Sequence, residues 1–272
     1  MNYLQFDFEI LDTDQSEKLV ALLSEKGFEG FEEEPTILKA FIAEKDFKQD
    51  DFLDVIELFE KLVYQKYTVE NINWNKKWEE DFQPVLVNDF VGIRATFHAP
   101  LEKVLHEIII TPKMSFGTGH HATTFLMIQQ MKEIDFVGKT VLDFGTGTGI
   151  LAILATKLGA SNILAIDYDE WSITNTIENI EQNGCSNIRV VQLSTIPSAE
   201  KFDIILANIN LNVILISLKE IVSSSISGTY ILLSGFLLEN ETAIISSITD
   251  NGLEYISTSQ RGDWILVLAK MP

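Results

Sequence analysis

The sequence is poor in cysteine, in basic residues and in long apolar runs. Its single cysteine, Cys185, excludes an internal disulfide and a cysteine metal cluster alike. No apolar run approaches the ~20 residues that a helix needs to span a bilayer. The N-terminal segment MNYLQFDFEI has neither the basic nor the apolar region of a secretory signal. We therefore expect a cytoplasmic protein with no part in a membrane.

Acidic residues outnumber basic residues two to one. The 272-residue chain contains 40 Asp and Glu against 20 Lys and Arg, which gives a formal net charge of −20. Residues 1–84 carry −12 of this charge and the remaining residues carry −8. Such a surface repels a phosphate backbone, so direct binding of nucleic acid is not expected. A basic protein would be attracted instead, although acidity that serves only solubility is an equally good interpretation.

The length allows two domains, and the pattern of residues 1–70 differs from the rest. Apolar and polar residues alternate in YLQFDFEI, and two amphipathic stretches follow, TDQSEKLVALLSEKG and DDFLDVIELFEKLVYQ. Thr13 or Asp14 is the expected N-cap of the first helix, and Gly27 its end. Strands mixed with helices in this way predict a small α+β domain.

Residues 71–114 are expected to connect this domain to the next. The segment NWNKKWEEDF predicts a helix with Trp74 and Trp78 on one face, which we interpret as packing into the domain junction. Short strands are predicted in QPVLV, FVGIRATF and LHEIIIT.

From residue 139 onward, apolar strands alternate with helices. The predicted strands are KTVLDF, NILAID, IRVVQL, FDIILAN and GTYILLSG, and LEYISTSQRGDWILVLAK predicts a closing β-hairpin. This alternation predicts a parallel sheet covered by helices on both faces, with an antiparallel strand added by the hairpin.

The stretch VLDFGTGTGILAIL predicts a strand, a glycine-rich turn and the start of a helix. Such a turn admits a ligand close to the backbone at the carboxyl end of the strand. The dinucleotide fingerprint fits poorly, because Ile150 stands where its third glycine should be. A P-loop is excluded, because no Gly-Lys-Ser/Thr follows. The spacing of Asp143, Gly145 and Gly147 resembles instead the first motif of class I S-adenosylmethionine-dependent methyltransferases.

Two polar residues end the strands that follow. Asp167 is placed so that its carboxylate can accept hydrogen bonds from both hydroxyls of a ribose, a device that NAD enzymes share. Asp167 and Asp169 could also cap the next helix, and we expect Asp169 to be the cap. Asn208 corresponds to the residue beside the transferring methyl in nitrogen-methylating enzymes of this fold. Its carbonyl can accept a hydrogen bond from an amine, and its alternative role is to cap a helix.

The segment SFGTGHHATT, residues 115–124, admits three interpretations: a phosphate cradle, a metal site or the wall of another ligand site. Adjacent residues of an extended segment point to opposite sides, so His120 and His121 do not form a metal site together. The other histidines are His98 and His106, and no His-Glu-x-x-His pattern is present. A phosphate cradle leaves the flanking residues without a role.

The segment MSFGTGHHATT resembles the AFGTGTHPTT-type segment of the ribosomal protein L11 methyltransferase (PrmA) family. Further family segments are matched in order by KKWEEDFQPVLV, VLDFGTGTGILAILATKLGA, AIDYD, ENIEQNG, LANINLN and LLSGFL. The resemblance covers about residues 74–240. It implies a class I methyltransferase domain at residues 115–272, with a Rossmann-like, seven-stranded, mostly parallel α/β sheet and a C-terminal antiparallel hairpin. It also implies that the α+β domain recognises the substrate.

The resemblance also implies chemistry. Methyl groups would pass from S-adenosyl-L-methionine to lysine side chains and the N-terminal α-amine of L11, a basic protein of the large-subunit stalk base, either free or on the ribosome. Asn208 would be the catalytic residue, and no metal is involved. The residues carried over as cofactor contacts are Thr124, Asp143, Gly145, Gly147, Asp167 and Asn208, with Phe116, Gly117 and Thr123.

The resemblance suggests that the 115–124 segment folds over the cofactor, so that both Gly-Thr-Gly turns face one ligand. Where the family often has Thr-His-Pro, this chain has His120, His121 and Ala122. The missing proline loosens the backbone and leaves the roles of the histidines open. Three alternatives remain: a methyltransferase for another protein or a small amine, a non-catalytic cofactor-sensing or ribosome-docking module, and, as a distant third, a dinucleotide oxidoreductase.

Overall fold

The computed structural model describes residues 3–28, 30–34, 36–59, 62–69, 83–111 and 119–272. The chain divides into two compact units, Met1–Phe82 and Gln83–Pro272. Trp74 and Trp78, with their predicted helix, lie outside the described residues. The short strands expected in the connecting segment belong to the second unit. The assignment of separate functions to residues 1–70, 71–114 and 115–272 stays a prediction.

The first unit is an antiparallel sheet with two helices. Its elements are β1 (Tyr3–Glu9), α1 (Thr13–Glu25), β2 (Gly30–Glu34), β3 (Ile37–Ala43), α2 (Gln49–Ile56) and β4 (Tyr64–Val69). The strand order is β2-β3-β1-β4. Alternate residues of β1 and β3 are buried and join buried side chains of both helices in one core. The predicted α+β architecture is confirmed.

Three local predictions for this unit were wrong. The N-cap of α1 is Asp12, because its backbone is extended and its carboxylate accepts from Gln15 N at 2.8 Å, whereas Thr13 and Asp14 are already helical. The second helix ends at Ile56 rather than continuing to residue 65, because Tyr64 pairs with Phe8 in the sheet. The third is the absence of a predicted strand at β2, whose residues are mostly exposed and acidic. The end of α1 was right: Gly27 follows it with φ +90°.

The second unit begins with a small sheet. Its strands are β5 (Val85–Val87), β6 (Val91–Ala95) and β7 (His106–Ile110), in the order β5-β6-β7. The pair β5 and β6 is antiparallel, and the pair β6 and β7 is parallel. All five residues of β6 are buried.

A seven-stranded sheet makes up the rest of the second unit. Its elements are α3 (Ala122–Met131), β8 (Thr140–Phe144), α4 (Ile150–Lys157), β9 (Asn162–Asp167), α5 (Glu170–Gln182), β10 (Ile188–Gln192), β11 (Phe202–Asn208), α6 (Leu211–Ser223), β12 (Ser225–Leu237), α7 (Glu241–Asp250), β13 (Glu254–Arg261) and β14 (Trp264–Lys270). The order is β10-β9-β8-β11-β12-β14-β13. The first five strands are parallel, and β14 is antiparallel to both of its neighbours. The predicted class I Rossmann-like fold is confirmed.

The strands β8, β9 and β11 are buried along almost their whole length, as expected for a sheet covered on both faces. The strand order reverses between β8 and β11, because the chain runs outward from β8 to β10 and then returns to the other side. Open α/β sheets bind ligands in the crevice at the carboxyl ends of such a pair. Among the described helices, none is long and apolar enough to cross a membrane.

Candidate functional site

The candidate site lies at the carboxyl ends of β8, β9 and β11. The glycine-rich loop, residues 145–149, follows β8; Asp167 ends β9; and Asn208 ends β11. Because these strands are neighbours in the parallel sheet, the three features border one crevice. Three separate sequence signals are thus brought together by the topology.

The glycine-rich loop depends on backbone conformations that favour glycine. Gly145, Gly147 and Gly149 have φ of +78°, +58° and +80°. The amides of Gly145 and Thr146 both donate to Ile166 O, at 2.9 and 3.0 Å, which fixes the loop against the end of β9. The loop then enters α4 with Gly149 as a left-handed N-cap.

Gly145 and Gly235 both lie against the residue that follows Asn208. A Cβ on Gly145 would overlap the Cγ2 methyl of Ile209, and a Cβ on Gly235 would overlap the Ile209 carbonyl oxygen. The sequence indicated Gly145 as a residue that a ligand approaches. The structure adds that both glycines are required by the packing of the protein itself.

Asp143 lies beneath the loop and not on the crevice surface. Its side chain is 1% exposed, and its Oδ2 accepts from the Thr146 hydroxyl at 2.7 Å. Oδ1 is buried with no hydrogen-bond partner among the described residues. Burial raises the pKa of this carboxyl to about 6, against the lowering effect of the Thr146 hydrogen bond. The geometry favours a role for Asp143 in shaping the loop, and direct contact with a cofactor stays a prediction.

Asp167 is 7% exposed and receives two backbone amides. Gly147 N donates to its Oδ2 at 2.9 Å, and Asp169 N donates to its Oδ1 at 3.1 Å. Each carboxylate oxygen can accept a further hydrogen bond. The side chain is thereby held at the loop with acceptor capacity for a pair of neighbouring hydroxyls.

Asp169 is the N-cap of α5, as expected. Its Oδ2 accepts from both the amide and the hydroxyl of Ser172, each at 2.9 Å. These hydrogen bonds hold the pKa of the Asp169 carboxyl below its ordinary value. Because Asp169 caps the helix, Asp167 is not needed as the cap and can have another role.

Asn208 and Asn210 likewise differ in role, because only one of them caps a helix. The N-cap of α6 is Asn210, whose side chain accepts from Val213 N at 3.1 Å. Asn208 is half-buried, and its Nδ2 lies 3.5 Å from Thr124 Oγ1. The alternative that Asn208 caps the following helix is therefore wrong.

The N-terminal turn of α3 borders the same end of β11. His121 is its N-cap, with Nδ1 3.3 Å from Thr123 N and 2.7 Å from Thr123 Oγ1. The His121 ring also lies edge-on to Trp264, at a centroid distance of 4.4 Å. His120 has a different contact, from Nε2 to Gln83 O at 3.0 Å. Nothing in the sequence signalled the capping role of His121.

The structure brings some of the predicted site residues together and leaves others undescribed. Thr124 lies beside Asn208, and Gly147 lies beside Asp167. Gly145 lies in the loop between these two pairs. The Thr123 hydroxyl points toward His121. Phe116 and Gly117 lie outside the described residues.

In the described part of the chain, no group of three His, Cys, Asp or Glu side chains could hold a metal ion. His98 and His106 contact Ala95 N and the Phe90 ring, respectively.

The chain is similar to one family over nearly its whole length. The family model described as Ribosomal protein L11 methyltransferase (PrmA) matches residues 8–272. The ribosomal protein L11 methyltransferase of Porphyromonas gingivalis is 39% identical over 97% of this chain and 96% of the relative. The protein of the same name from Bacteroides fragilis is 36% identical over 98% and 99%. A solved ribosomal protein L11 methylase from Lactobacillus delbrueckii subsp. bulgaricus matches with a TM-score of 0.65 and 28% identity, over 70% of this chain and 99% of that one.

Proposed function

Because the chain belongs to the ribosomal protein L11 methyltransferase (PrmA) family, we propose that it methylates ribosomal protein L11. The methyl donor is S-adenosyl-L-methionine, and the enzyme is a protein methyltransferase. The acceptor groups are lysine side chains and the N-terminal α-amine. The observation that carries the proposal is the placement of Asn208 at the end of β11, beside Thr124 and next to β8, from which the glycine-rich loop starts.

The residues present fit the donor. The loop has the left-handed backbone conformations at Gly145, Gly147 and Gly149 that a tight turn at the end of β8 requires, and such a turn exposes backbone amides to a ligand at the carboxyl ends of the strands. Asp167 offers a fixed carboxylate at the end of β9, suited to the two ribose hydroxyls of an adenosyl group. Thr124 and Asn208 lie together at the end of β11, the strand next to β8. When bound, S-adenosylmethionine supplies an electrophilic methyl group on its sulfonium.

The acceptor amine must be neutral when it attacks. A lysine ammonium has a pKa near ~10.4 in water and no lone pair, so it must lose a proton on entering the crevice, where desolvation lowers its pKa. The Asn208 carbonyl can accept a hydrogen bond from the neutral amine and orient its lone pair. An aspartate there would favour the protonated amine instead. Alignment of the amine in this way supplies much of the rate.

The acidity of the chain suits a basic partner. Residues 1–84 carry a net charge of −12, which steers a basic protein toward this part of the molecule. We assign substrate recognition to the Met1–Phe82 unit, and L11 at the stalk base, free or on the ribosome, as the partner. The same charge argues against direct binding of nucleic acid. A substrate of the ribosome places the enzyme in the cytoplasm.

A competition assay tests this proposal. Purified L11 and a second basic ribosomal protein of similar size are incubated with the enzyme and S-adenosylmethionine labelled in its methyl group. We expect label in L11 and little in the second protein, and less in L11 whose amines have been blocked chemically. Equal labelling of both proteins would contradict recognition of L11, and label in blocked L11 would contradict amine methylation.

A further inference from the structure

Helix α5 has three polar side chains that are completely buried. Asn175, Thr176 and Asn179 are each 0% exposed. Burying polar groups is costly unless each has a hydrogen-bond partner. Their partners include backbone groups of the glycine-rich loop and of the chain just after β7, and Asn179 Nδ2 also lies 3.4 Å from Asn175 Oδ1.

Two of these side chains hold carbonyls of the glycine-rich loop. The Thr176 hydroxyl donates to Gly147 O at 2.8 Å, and Asn179 Nδ2 donates to Thr148 O at 2.8 Å. The Thr176 methyl would lie 3.0 Å from a Cβ on Gly149, so α5 packs tightly on the loop as well. Consecutive carbonyls of the loop are therefore fixed by one helix.

The amide of Asn179 is oriented by the chain after β7. Its Oδ1 accepts from Thr111 N at 2.8 Å, and Asn175 Nδ2 donates to Thr111 O at 3.1 Å. Because the Thr111 N–H requires an acceptor, the oxygen Oδ1 of Asn179 faces Thr111. The nitrogen Nδ2 at the other end of the amide then faces Thr148 O. One turn further along the helix, Asn183 binds both Ile109 N and Ile109 O, at 3.0 and 2.6 Å.

We propose that Asn179, oriented by Thr111, and Thr176 are positioning residues that hold the Gly147 and Thr148 carbonyls and thereby set the affinity for S-adenosylmethionine. The inference rests on the proposed function for the identity of the ligand. The two side chains act through the backbone of the loop and do not take part in methyl transfer. Their removal takes one hydrogen bond from each of the two loop carbonyls, and the loop then adopts its ligand-binding conformation for a smaller fraction of the time.

Asn183 provides the matched control, because it holds the edge of β7 as Asn179 does without a hydrogen bond to the loop. Asn179→Leu and Asn183→Leu each remove a side-chain partner of β7 or of its continuation, so both lower the stability. We expect the dissociation constant for S-adenosylmethionine, measured by calorimetry without acceptor, to rise about tenfold in Asn179→Leu and to stay within about twofold in Asn183→Leu. With L11, Asn179→Leu raises the KM for the cofactor and leaves kcat nearly unchanged.

Thr176 provides a second test that preserves the fold. Thr176→Val keeps the shape and loses the hydroxyl, whereas Thr176→Ser keeps the hydroxyl and loses the methyl. We expect weaker cofactor binding in the valine variant and recovery of most of the affinity in the serine variant. Exchange of the Thr111 amide with solvent, measured without cofactor, is expected to be faster in Asn179→Leu alone among these variants.

Three results would overturn the inference in different ways. Equal cofactor affinities for wild type, Asn179→Leu and Thr176→Val would remove the positioning role and leave the methyltransferase assignment intact. Equal losses of cofactor affinity in Asn179→Leu and Asn183→Leu would show that Asn179 affects binding only through the stability of the fold. A wild-type chain that binds no S-adenosylmethionine would overturn the proposed function, and this inference with it.

Discussion

The side-chain amide of Asn208 lies 3.5 Å from the hydroxyl oxygen of Thr124, although 84 positions separate them in the chain. The contact joins the carboxyl end of β11 to the first turn of α3. It uses the Nδ2 group of the amide, and in the proposed mechanism the carbonyl oxygen accepts a hydrogen bond from the substrate amine. The contact with Thr124 is the structural basis of the catalytic role proposed for Asn208.

Replacement of Asn208 should therefore affect turnover more than cofactor binding. In Asn208→Ala we expect kcat for methylation of L11 to fall about 100-fold or more, since one oriented hydrogen bond to the reacting amine is lost. The dissociation constant for S-adenosylmethionine should change by only a few-fold. Single-turnover kinetics and calorimetry measure the two effects separately.

Asn210→Ala is the control, because it removes the cap of α6 and costs about 1 kcal/mol of stability without lowering kcat. Unchanged turnover in Asn208→Ala would remove Asn208 from the mechanism.

Asp167 and Asp169 offer a second matched pair. Asp167→Asn removes the charge of the carboxylate proposed to bind the ribose, and we expect binding of S-adenosylmethionine to weaken about tenfold or more. Asp169→Asn keeps an oxygen that can cap α5, so stability and binding should both change little. Calorimetric titration of both variants measures this difference. Similar affinities in the two variants would show that Asp167 is not a cofactor ligand.

The buried carboxyl of Asp143 predicts a pH dependence of stability. Its pKa is raised by burial from 3.8 to about 6, so between these pH values the folded chain binds more protons than the unfolded chain. This group's contribution to stability is therefore greatest below about pH 4 and is lost as pH rises through about 6. The loss amounts to roughly 3 kcal/mol.

Asp143→Asn has no carboxyl to titrate, yet keeps an oxygen for the Thr146 hydroxyl. Compared with wild type, the free energy of unfolding in urea should shift in favour of the variant as the pH is raised from about 4 to about 7.5. The difference between the two curves isolates Asp143 from the other carboxylates. Parallel curves would show that the carboxyl titrates normally in the folded chain.

Ala122 occupies the first position of α3, where proline is well tolerated. The preceding residue, His121, has φ −74° and ψ 144°, which suits a residue before proline. Ala122→Pro should therefore stabilise the protein by about 0.4–1 kcal/mol, because it restricts the unfolded chain. Ala155→Pro, in the interior of α4, should instead destabilise by about 3 kcal/mol or more. Thermal unfolding checks both, and a lower melting temperature for Ala122→Pro would contradict the backbone geometry at this cap.

The second unit was predicted more accurately from the sequence than the first. Apolar runs such as NILAID and FDIILAN are bounded by turns and helices, so burial on both faces leaves a clear pattern. The strand β2 carries the opposite signal, since Glu32, Glu33 and Glu34 are exposed and the strand exists through its pairing with β3. The second helix was extended too far because its apolar spacing continues past Ile56, and only pairing of Tyr64 with Phe8 ends it.

For the site, residues at strand ends were predictable and residues on α5 were not. Asp167 and Asn208 follow recognisable strands, and their topology then places them at one crevice. Asn179 and Thr176 stand in a helix with exposed polar neighbours, so their sequence context resembles a solvated surface. Their function depends on backbone carbonyls 29 and 31 residues away, at Gly147 and Thr148, which no local pattern records.

Intact-protein mass spectrometry of purified L11 after incubation with the enzyme and S-adenosylmethionine tests the central claim most directly. We predict a series of species that differ by one methyl-for-hydrogen replacement each, located by peptide mapping at lysine side chains and the N-terminal amine. The series should be absent when the cofactor is omitted and strongly reduced with Asn208→Ala. An unchanged mass of L11, with binding of S-adenosylmethionine confirmed by calorimetry on the same preparation, would contradict L11 as the substrate.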